Sequence, residues 1–262
     1  MNKKIKKFLK KKNKSKIVCL TAYSKKIALI LDKHCDLVLV GDSLGSVLYS
    51  YNSTKEVTLE TMINHSKSVR LGVNKSIMIV DMPYNTYRNP REALKNAKLV
   101  MKETKCDGVK LEGGNKIIPI VKNLVKNKIP VMGHVGILPQ TDKKFTFKGK
   151  KQKESEIILN DTKLLEKAGV FSIVLECIES KLSKQITEKI RIPTIGIGSS
   201  VNCDGQVLVI DDLIGMSGSK FKFVKKYVDV SKIIDGAVKK YKSEVKKKQF
   251  QKSKHSFKNW SN

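Results

Sequence analysis

The stretch SIMIVDMPYNTYRNPREALKNAKLVMKETKCDGVKLEGG, residues 76–114, predicts a strand, a helix and a second strand. Its two ends, 76–81 and 107–112, are short runs rich in apolar and β-branched residues. The segment 90–104 between them has helical spacing, and Asn89-Pro90 is a typical helix start because proline suits the first helical turn. A strand–helix–strand unit of this kind predicts two parallel strands in one sheet.

The same alternation of strands and helices begins at residue 17 and extends along the chain. Candidate strands lie at 17–21, 36–41, 76–81, 107–112, 130–135, 171–176, 193–198 and 206–211, and candidate helices at 24–34, 58–71, 90–104, 115–127, 155–168, 179–190 and near 230–247. Near-continuous apolar strands indicate a parallel sheet that is covered on both faces. Eight such units in about 250 residues are what a closed (β/α)8 barrel requires. An open doubly wound sheet is the alternative; it usually has a glycine-rich turn after its first strand, where this chain has TAYSKK.

We therefore predict a single α/β domain, a TIM barrel, over residues 1–262. An N-terminal helix is expected at about 3–12, and a basic tail, open to disorder, at about 248–262. The polar segment FTFKGKKQKES, residues 145–155, is expected to be a long loop after the fifth strand, and we hypothesise that it acts as a lid.

The charge balance raises the possibility of a nucleic-acid or membrane partner, because 53 basic residues against 24 acidic ones give a net charge of +29. Only four of the basic residues are arginine, the side chain that phosphate and base recognition favour, and the lysines are spread along the whole chain. This pattern favours solvated lysine-rich faces, so we expect no specific nucleic acid and no membrane partner.

The five cysteines are scattered without a C-x-x-C pair, and the four histidines form no zinc pattern. Together with the absence of a signal-like or long apolar segment, this predicts reduced thiols and a cytoplasmic protein.

Acidic side chains lie at the carboxyl ends of successive candidate strands, where a barrel carries its chemistry. Asp42, Asp81 and Glu112 come at the ends of strands two, three and four, and Glu176 ends strand six. Carboxylates that converge in one pocket repel each other unless a cation or a proton holds them. Oxygen ligands without cysteine suit Mg²⁺, with Mn²⁺ as a substitute, so we predict a metal site of Asp42, Asp81 and Glu112.

Each of these residues also has a purely structural interpretation. Asp42 and Asp81 would cap a helix or a turn, as aspartate often does. Lys110, on the same face as Glu112, would either bind an anionic substrate or neutralise Glu112, and His134 would either be a packed histidine or contact the substrate. Gly113-Gly114 would either cradle a carboxylate at a helix N-terminus or simply allow a tight turn.

The carboxylates suggest a reaction of a 2-oxo acid. A metal that chelates such an acid acidifies the adjacent C–H by stabilising the enolate, and a carboxylate outside the metal site would then abstract the proton. Glu176 is placed for that role.

Several motifs resemble those of the 3-methyl-2-oxobutanoate (ketopantoate) hydroxymethyltransferase family. They occur in order between about residues 17 and 225: TAYSKKIA (21–28), VLVGDSLG (38–45), VDMPY (80–84), VKLEGG (109–114), GHVGILPQ (133–140), LEC (175–177) and IGIGSSVNCDGQVLVIDDLIG (195–215).

The resemblance implies a barrel of the phosphoenolpyruvate/pyruvate type and a homodecamer. It implies transfer of a hydroxymethyl group from 5,10-methylenetetrahydrofolate to 3-methyl-2-oxobutanoate, which gives 2-dehydropantoate in the first step of pantothenate synthesis. By motif, it assigns the Mg²⁺ site to Asp42, Asp81 and Glu112, the oxo-acid contacts to Asp42, Ser43, Asp81 and Lys110, and the proton acceptor to Glu176.

This sequence departs from the family pattern at three places. The family's glycine-rich loop after the fifth strand is replaced by FTFKGKKQK, IGIGAG becomes IGIGSS, and Asp211 stands where the family commonly has a histidine. Two other functions remain: a Mg²⁺-dependent lyase of the same superfamily, whose K-x-C-G-H-like cysteine motif is missing here, and a basic surface binder.

Overall fold

Eight parallel strands close into a barrel in the computed structural model, which describes residues 2–142, 146–252 and 255–256. The strands are β1 Ile17–Thr21, β2 Leu37–Val40, β3 Ile77–Asp81, β4 Gly108–Glu112, β5 Val131–Gly136, β6 Ser172–Glu176, β7 Thr194–Ile197 and β8 Gly205–Leu208. Each strand pairs with the next one along the chain, and β8 pairs with β1. The prediction of a closed barrel is confirmed, and the open doubly wound sheet is excluded.

The helices alternate with the strands as predicted. They are α1 Lys3–Leu9, α2 Lys25–Leu31, α3 Leu44–Tyr49, α4 Leu59–Arg70, α5 Pro90–Thr104, α6 Ile118–Lys126, α7 Gln152–Ala168, α8 Ser180–Lys189, α9 Ile210–Ile214 and α10 Val230–Lys246, with short 3₁₀ turns at Thr54–Glu56 and Asn115–Ile117. Local signals explain their ends. Asn89 caps α5 by accepting a hydrogen bond from Glu92 N at 2.9 Å, and Gly169 ends α7 with a φ of 98°.

Three sequence-based boundaries differ from the structure. The predicted eighth strand, 206–211, stops at Leu208, and Ile210–Ile214 is a helix. The predicted loop 145–155 is shorter, because α7 already begins at Gln152. The N-terminal helix ends at Leu9 instead of about residue 12.

The remaining part of the predicted lid is tied to the barrel on one side. Lys148 N donates to Cys177 O at 2.8 Å, and Glu179 N donates to Lys148 O at 2.8 Å, so this strip of loop pairs with the segment after β6. Residues 143–145 lie outside the described residues, and closure of the loop stays a prediction.

Helix α1 packs across the amino ends of the strands. Ile5 and Phe8 are buried in one cluster with the first residues of several strands, and the Phe8 ring meets the Phe171 ring edge-on at 5.9 Å. Beyond the helix, Lys12 Nζ forms a buried ion pair with Asp204 at 2.8 Å. This end of the barrel is therefore filled, which leaves the carboxyl ends of the strands for chemistry.

By their contacts, the residues form two compact units, Met1–Ile210 and Asp211–Asn262. The second unit contains α10, whose Ile233, Ile234, Val238 and Tyr241 side chains are exposed. Most of the predicted tail, namely 253–254 and 257–262, lies outside the described residues, and a single domain over the full chain stays a prediction. No helix in the described ranges is both long and apolar enough to span a membrane.

Candidate active site

The acidic side chains that the sequence places at the strand ends do converge. Asp42 lies two residues beyond β2, Asp81 ends β3 and Glu112 ends β4, and each is at most 4% exposed. The parallel register explains their meeting, because Asp81 on β3 is opposite Lys110 on β4, and Glu112 is opposite His134 on β5. Three carboxylates thus share one buried region at the carboxyl end of the barrel.

Backbone and side-chain amides hold one oxygen of each carboxylate. Asp42 N donates to Asp81 Oδ2 at 3.2 Å, and Gln140 N donates to Glu112 Oε2 at 3.1 Å. The side-chain amide of Gln140 donates to Asp42 Oδ2 at 2.7 Å. These bonds fix the carboxylates in defined orientations.

The Lys110 ammonium lies among the other oxygens. Its Nζ is 3.0 Å from Asp81 Oδ1, 3.8 Å from Glu112 Oε1 and 3.4 Å from His134 Nδ1. Asp81 Oδ1 is buried and accepts no well-directed hydrogen bond, so the ion pair with Lys110 is its main contact. Within the described residues, no three His, Cys, Asp or Glu side chains surround a common point as metal ligands would. The Lys110 ammonium lies beside Asp81 and Glu112.

The pKa values of these groups reflect burial and crowding. Burial, together with the Asp81 and Glu112 charges, raises the pKa of Asp42 well above its usual value, and burial also raises the pKa of Asp81. Burial opposes the charge on Lys110, but the Asp81 and Glu112 carboxylates outweigh it and raise the pKa of Lys110. The site thus holds an ammonium ion firmly and favours a proton on its most crowded carboxylates.

His134 connects this cluster to Glu176 at the end of β6. Its Nδ1 lies 3.4 Å from Glu112 Oε1, and its Nε2 lies 3.2 Å from Glu176 Oε2. Burial and the Lys110 charge act against a protonated imidazole, but Glu112 and Glu176 outweigh them and raise the pKa of His134 to about 9. A protonated His134 therefore bridges the two glutamates.

The family model of ketopantoate hydroxymethyltransferase matches residues 2–253. The chain belongs to this family. It is 65% identical to the 3-methyl-2-oxobutanoate hydroxymethyltransferase of Pelagibacter ubique (strain HTCC1062), over 98% of this chain and 100% of that protein. It is 46% identical to the enzyme of the same name from Agrobacterium fabrum (strain C58 / ATCC 33970), over 94% of this chain and 90% of that protein.

Solved structures of other enzymes share the barrel of this family member. A 2,3-dimethylmalate lyase of the PEP mutase/isocitrate lyase superfamily superposes with a TM-score of 0.60 at 13% identity, covering 79% of both chains. A phosphonopyruvate hydrolase complex with oxalate and Mg²⁺ has a TM-score of 0.60 at 8% identity, covering 98% of this chain and 92% of that one. At these identities the likeness concerns the fold alone, and it agrees with the closed (β/α)8 barrel.

Ser43, the remaining predicted substrate contact, lies at the edge of the cluster. Its hydroxyl is 2.8 Å from Tyr23 Oη. A Cβ atom added at Gly41 would lie 3.0 Å from Ser43 Oγ and 3.6 Å from Asp81 Oδ2, so both groups flank the same backbone position. The glycine before the aspartate in this family motif leaves room for them.

The carboxylate cradle considered for Gly113-Gly114 is occupied by the chain itself. Asp161 on α7 accepts a hydrogen bond from Asn115 N at 3.0 Å, and a Cβ atom at Gly114 would lie 1.8 Å from its Oδ2. The interpretation as a substrate cradle was wrong, because a carboxylate from a neighbouring helix fills that position.

Two residues of the cluster were not singled out from the sequence. Gln140 is 1% exposed and touches both Asp42 and Glu112, and Tyr87 Oη donates to Gln140 Oε1. The available signal was the end of the family motif GHVGILPQ, which places Gln140 shortly after β5.

Proposed function

We propose that this protein transfers a hydroxymethyl group from 5,10-methylenetetrahydrofolate to 3-methyl-2-oxobutanoate, giving 2-dehydropantoate. Membership of the ketopantoate hydroxymethyltransferase family supports this reaction. The observation that carries it is the cluster of buried Asp42, Asp81 and Glu112, with Glu176 linked to it through His134. The reaction is the first step of pantothenate synthesis, as the family resemblance implies.

A divalent cation fits the chemistry of this cluster. The four carboxylates of Asp42, Asp81, Glu112 and Glu176 face two cations, Lys110 and protonated His134, which leaves an excess of two negative charges when all are ionised. The buried Asp81 Oδ1 also lacks a well-directed hydrogen bond. Oxygen donors of this kind suit Mg²⁺, and we propose Asp42, Asp81 and Glu112 as its protein ligands. Binding requires the Lys110 ammonium to give up some of its contact with these oxygens.

The other side chains then have separate tasks toward the oxo acid. Lys110 Nζ and Ser43 Oγ are the donors available for its oxygens. Bound Mg²⁺ would polarise the carbonyl group and acidify the adjacent C–H. Glu176 accepts the C3 proton at a carboxylate oxygen. Water cleaves the two C–N bonds of the folate's methylene group, which releases tetrahydrofolate and the carbon as formaldehyde. The electron pair left on C3 forms the new C–C bond to this carbon, and its oxygen takes up a proton to give the hydroxymethyl group.

His134 contacts Glu176, the proposed base. With a pKa of about 9, the imidazole is protonated at neutral pH, and its Nε2 lies 3.2 Å from Glu176 Oε2. His134 therefore holds the base in position between the buried cluster and the substrate.

An assay with both substrates, with and without Mg²⁺, tests the proposal. We expect 2-dehydropantoate to form only when a divalent cation is present. We expect the Asp81→Ala variant to form no product even when Mg²⁺ is added. Product formation at the normal rate in Asp81→Ala would contradict the metal site, and absence of product in the wild type under all conditions would contradict the reaction.

The family resemblance also supports proposals on assembly and location. We propose a homodecamer in the cytoplasm. Light scattering is expected to give ten times the monomer mass of 29.5 kDa, and a monomer or dimer at working concentration would contradict the assembly.

A further inference from the structure

We propose that Gln140 is a positioning residue that orients Asp42 and Glu112, so that each keeps one oxygen directed at the cation site. The inference rests on the proposed function, because it takes these carboxylates to be metal ligands. It adds a role for a neutral side chain that the charge pattern does not reveal.

Gln140 contacts the ends of three strands at once. It lies four residues beyond the end of β5 and is almost completely buried. Its backbone N donates to Glu112 Oε2 at 3.1 Å, while its side-chain Nε2 donates to Asp42 Oδ2 at 2.7 Å and to Met82 O at 2.9 Å. One residue from the loop after β5 therefore ties together the residues that end or follow β2, β3 and β4.

The orientation of the Gln140 amide is determined by its partners. A backbone carbonyl accepts but does not donate hydrogen bonds, so the NH₂ group must face Met82 O, and the same nitrogen reaches Asp42 Oδ2. On the opposite side, Tyr87 Oη donates to Gln140 Oε1. Since both ends of the amide are engaged, the side chain is locked and is able to act as a rigid support.

The two oxygens of a carboxylate in this cluster have different kinds of partner. Gln140 occupies Asp42 Oδ2 and Glu112 Oε2, and the Asp42 N–H occupies Asp81 Oδ2. Of the remaining oxygens, Asp81 Oδ1 and Glu112 Oε1 face Lys110 Nζ at 3.0 and 3.8 Å. At Asp81 and Glu112, one oxygen is thus held by an N–H donor and the other faces a cation. Outer partners that orient metal ligands in this way typically change metal affinity by about 10–100-fold.

The test is Mn²⁺ binding to Gln140→Met, measured by electron paramagnetic resonance on the metal-free full-length protein. Methionine keeps a similar length but cannot donate to Asp42. We expect the Kd for Mn²⁺ to rise about tenfold or more, while the melting temperature of the metal-free protein stays within a few degrees of the wild type. In the assay, the Mg²⁺ concentration for half-maximal rate should rise by a similar factor, with kcat at saturating Mg²⁺ largely restored.

Gln206→Met is the matched control. Gln206 is exposed on β8, and its side chain donates to Ser200 O at 2.9 Å, away from the carboxylates. We expect no change in its Kd for Mn²⁺. If Gln140→Met fails to fold, Gln140→Asn retains a polar amide that is too short to reach Asp42, and the same rise in Kd is expected.

Two outcomes overturn the inference in distinguishable ways. A Kd in the folded Gln140 variant within twofold of the wild type would remove the role of Gln140 and leave the proposed function intact. Absence of Mn²⁺ binding in the wild type would remove both the metal site and the role of Gln140.

Discussion

Glu176 differs from Asp81 and Glu112 in the exposure of its side chain to solvent. Its side chain is 12% exposed, whereas those of Asp81 and Glu112 are 3% and 2% exposed. A group that must accept a proton from a substrate carbon has to reach that substrate, while groups that hold a cation gain from enclosure. The difference in exposure therefore supports the division between a base and a set of ligands.

Glu176→Gln is expected to lower kcat by about 10²-fold or more, because glutamine keeps the shape but cannot accept the proton. Solvent exchange of the C3 hydrogen of 3-methyl-2-oxobutanoate, followed by NMR, should slow by a similar factor. Glu188→Gln, on an exposed part of α8, is the control, and its kcat and exchange rate should equal those of the wild type. Near-normal turnover of Glu176→Gln would assign the base to another residue.

The sequence points to the charged members of the cluster but not to the neutral Gln140 and Tyr87. Asp42, Asp81 and Glu112 stand out because a buried carboxylate needs a partner. Gln140 raises no such question in a sequence, and its role depends on a loop that folds back over three strands. Asp161 was missed for a similar reason, since its contact with Asn115 joins α7 to the turn after β4.

At the scale of elements, the ends of β5 and β6 depend on a close approach of their backbones. Gly136 has a φ of 101°, and a Cβ atom there would lie 2.1 Å from Glu176 O. The register places Gly136 opposite Glu176, so the glycine lets the chain turn beside the proposed base.

Gly136→Ala is expected to cost about 2 kcal/mol or more of unfolding free energy, through left-handed backbone strain and overpacking, and to lower kcat by displacing Glu176. Urea unfolding and turnover measure the two effects. Gly236→Ala in α10 is the control, because nothing lies within 4 Å of its added Cβ and alanine should stabilise that helix by about 0.5–1 kcal/mol. Wild-type stability and turnover in Gly136→Ala would refute the close approach.

A second link between elements depends on pH. Asp32, at the end of α2, accepts hydrogen bonds from the backbone N atoms of Asn74, Lys75 and Ser76 before β3. Burial acts to raise the pKa of Asp32, but these N–H groups outweigh burial and lower it. A carboxyl whose pKa is lowered by folding stabilises the protein above its unfolded pKa of about 3.9. That contribution disappears as the pH falls through the lower folded pKa.

Asp32→Asn is therefore expected to lower the free energy of unfolding by about 1–2 kcal/mol at pH 7, allowing for solvent screening. The loss should be smaller at pH 3. Urea unfolding at both pH values gives the two differences. Asp235→Asn, an exposed residue of α10, should show little effect at either pH. An equal cost of Asp32→Asn at pH 7 and pH 3 would argue against a charge-dependent link.

At the scale of the whole molecule, the strand order and the barrel were predictable because each strand is an apolar run bounded by clear turn signals. The missed helices are short and follow strands directly: α3 begins two residues after Asp42, and Ile210–Ile214 follows β8. Val47 in α3 and Ile210 in the helix after β8 have good strand propensity, so these short helices are hard to recognise from the local sequence.

The barrel as a whole also depends on α1 as a closing element. Phe8→Ala is expected to cost about 3–5 kcal/mol, because it leaves a cavity among buried side chains at the amino ends of the strands. Phe147→Ala, at a side chain that is 57% exposed, is the stability control and should cost far less. If urea unfolding shows that Phe8→Ala and Phe147→Ala lose the same free energy of unfolding, α1 does not close the barrel.

The most direct measurement is an anomalous difference map from crystals containing Mn²⁺ and 3-methyl-2-oxobutanoate. We predict one strong peak per chain, bounded by oxygens of Asp42, Asp81 and Glu112, with C3 of the oxo acid facing Glu176. A bound oxo acid without a peak, or a peak held by other residues, would contradict it.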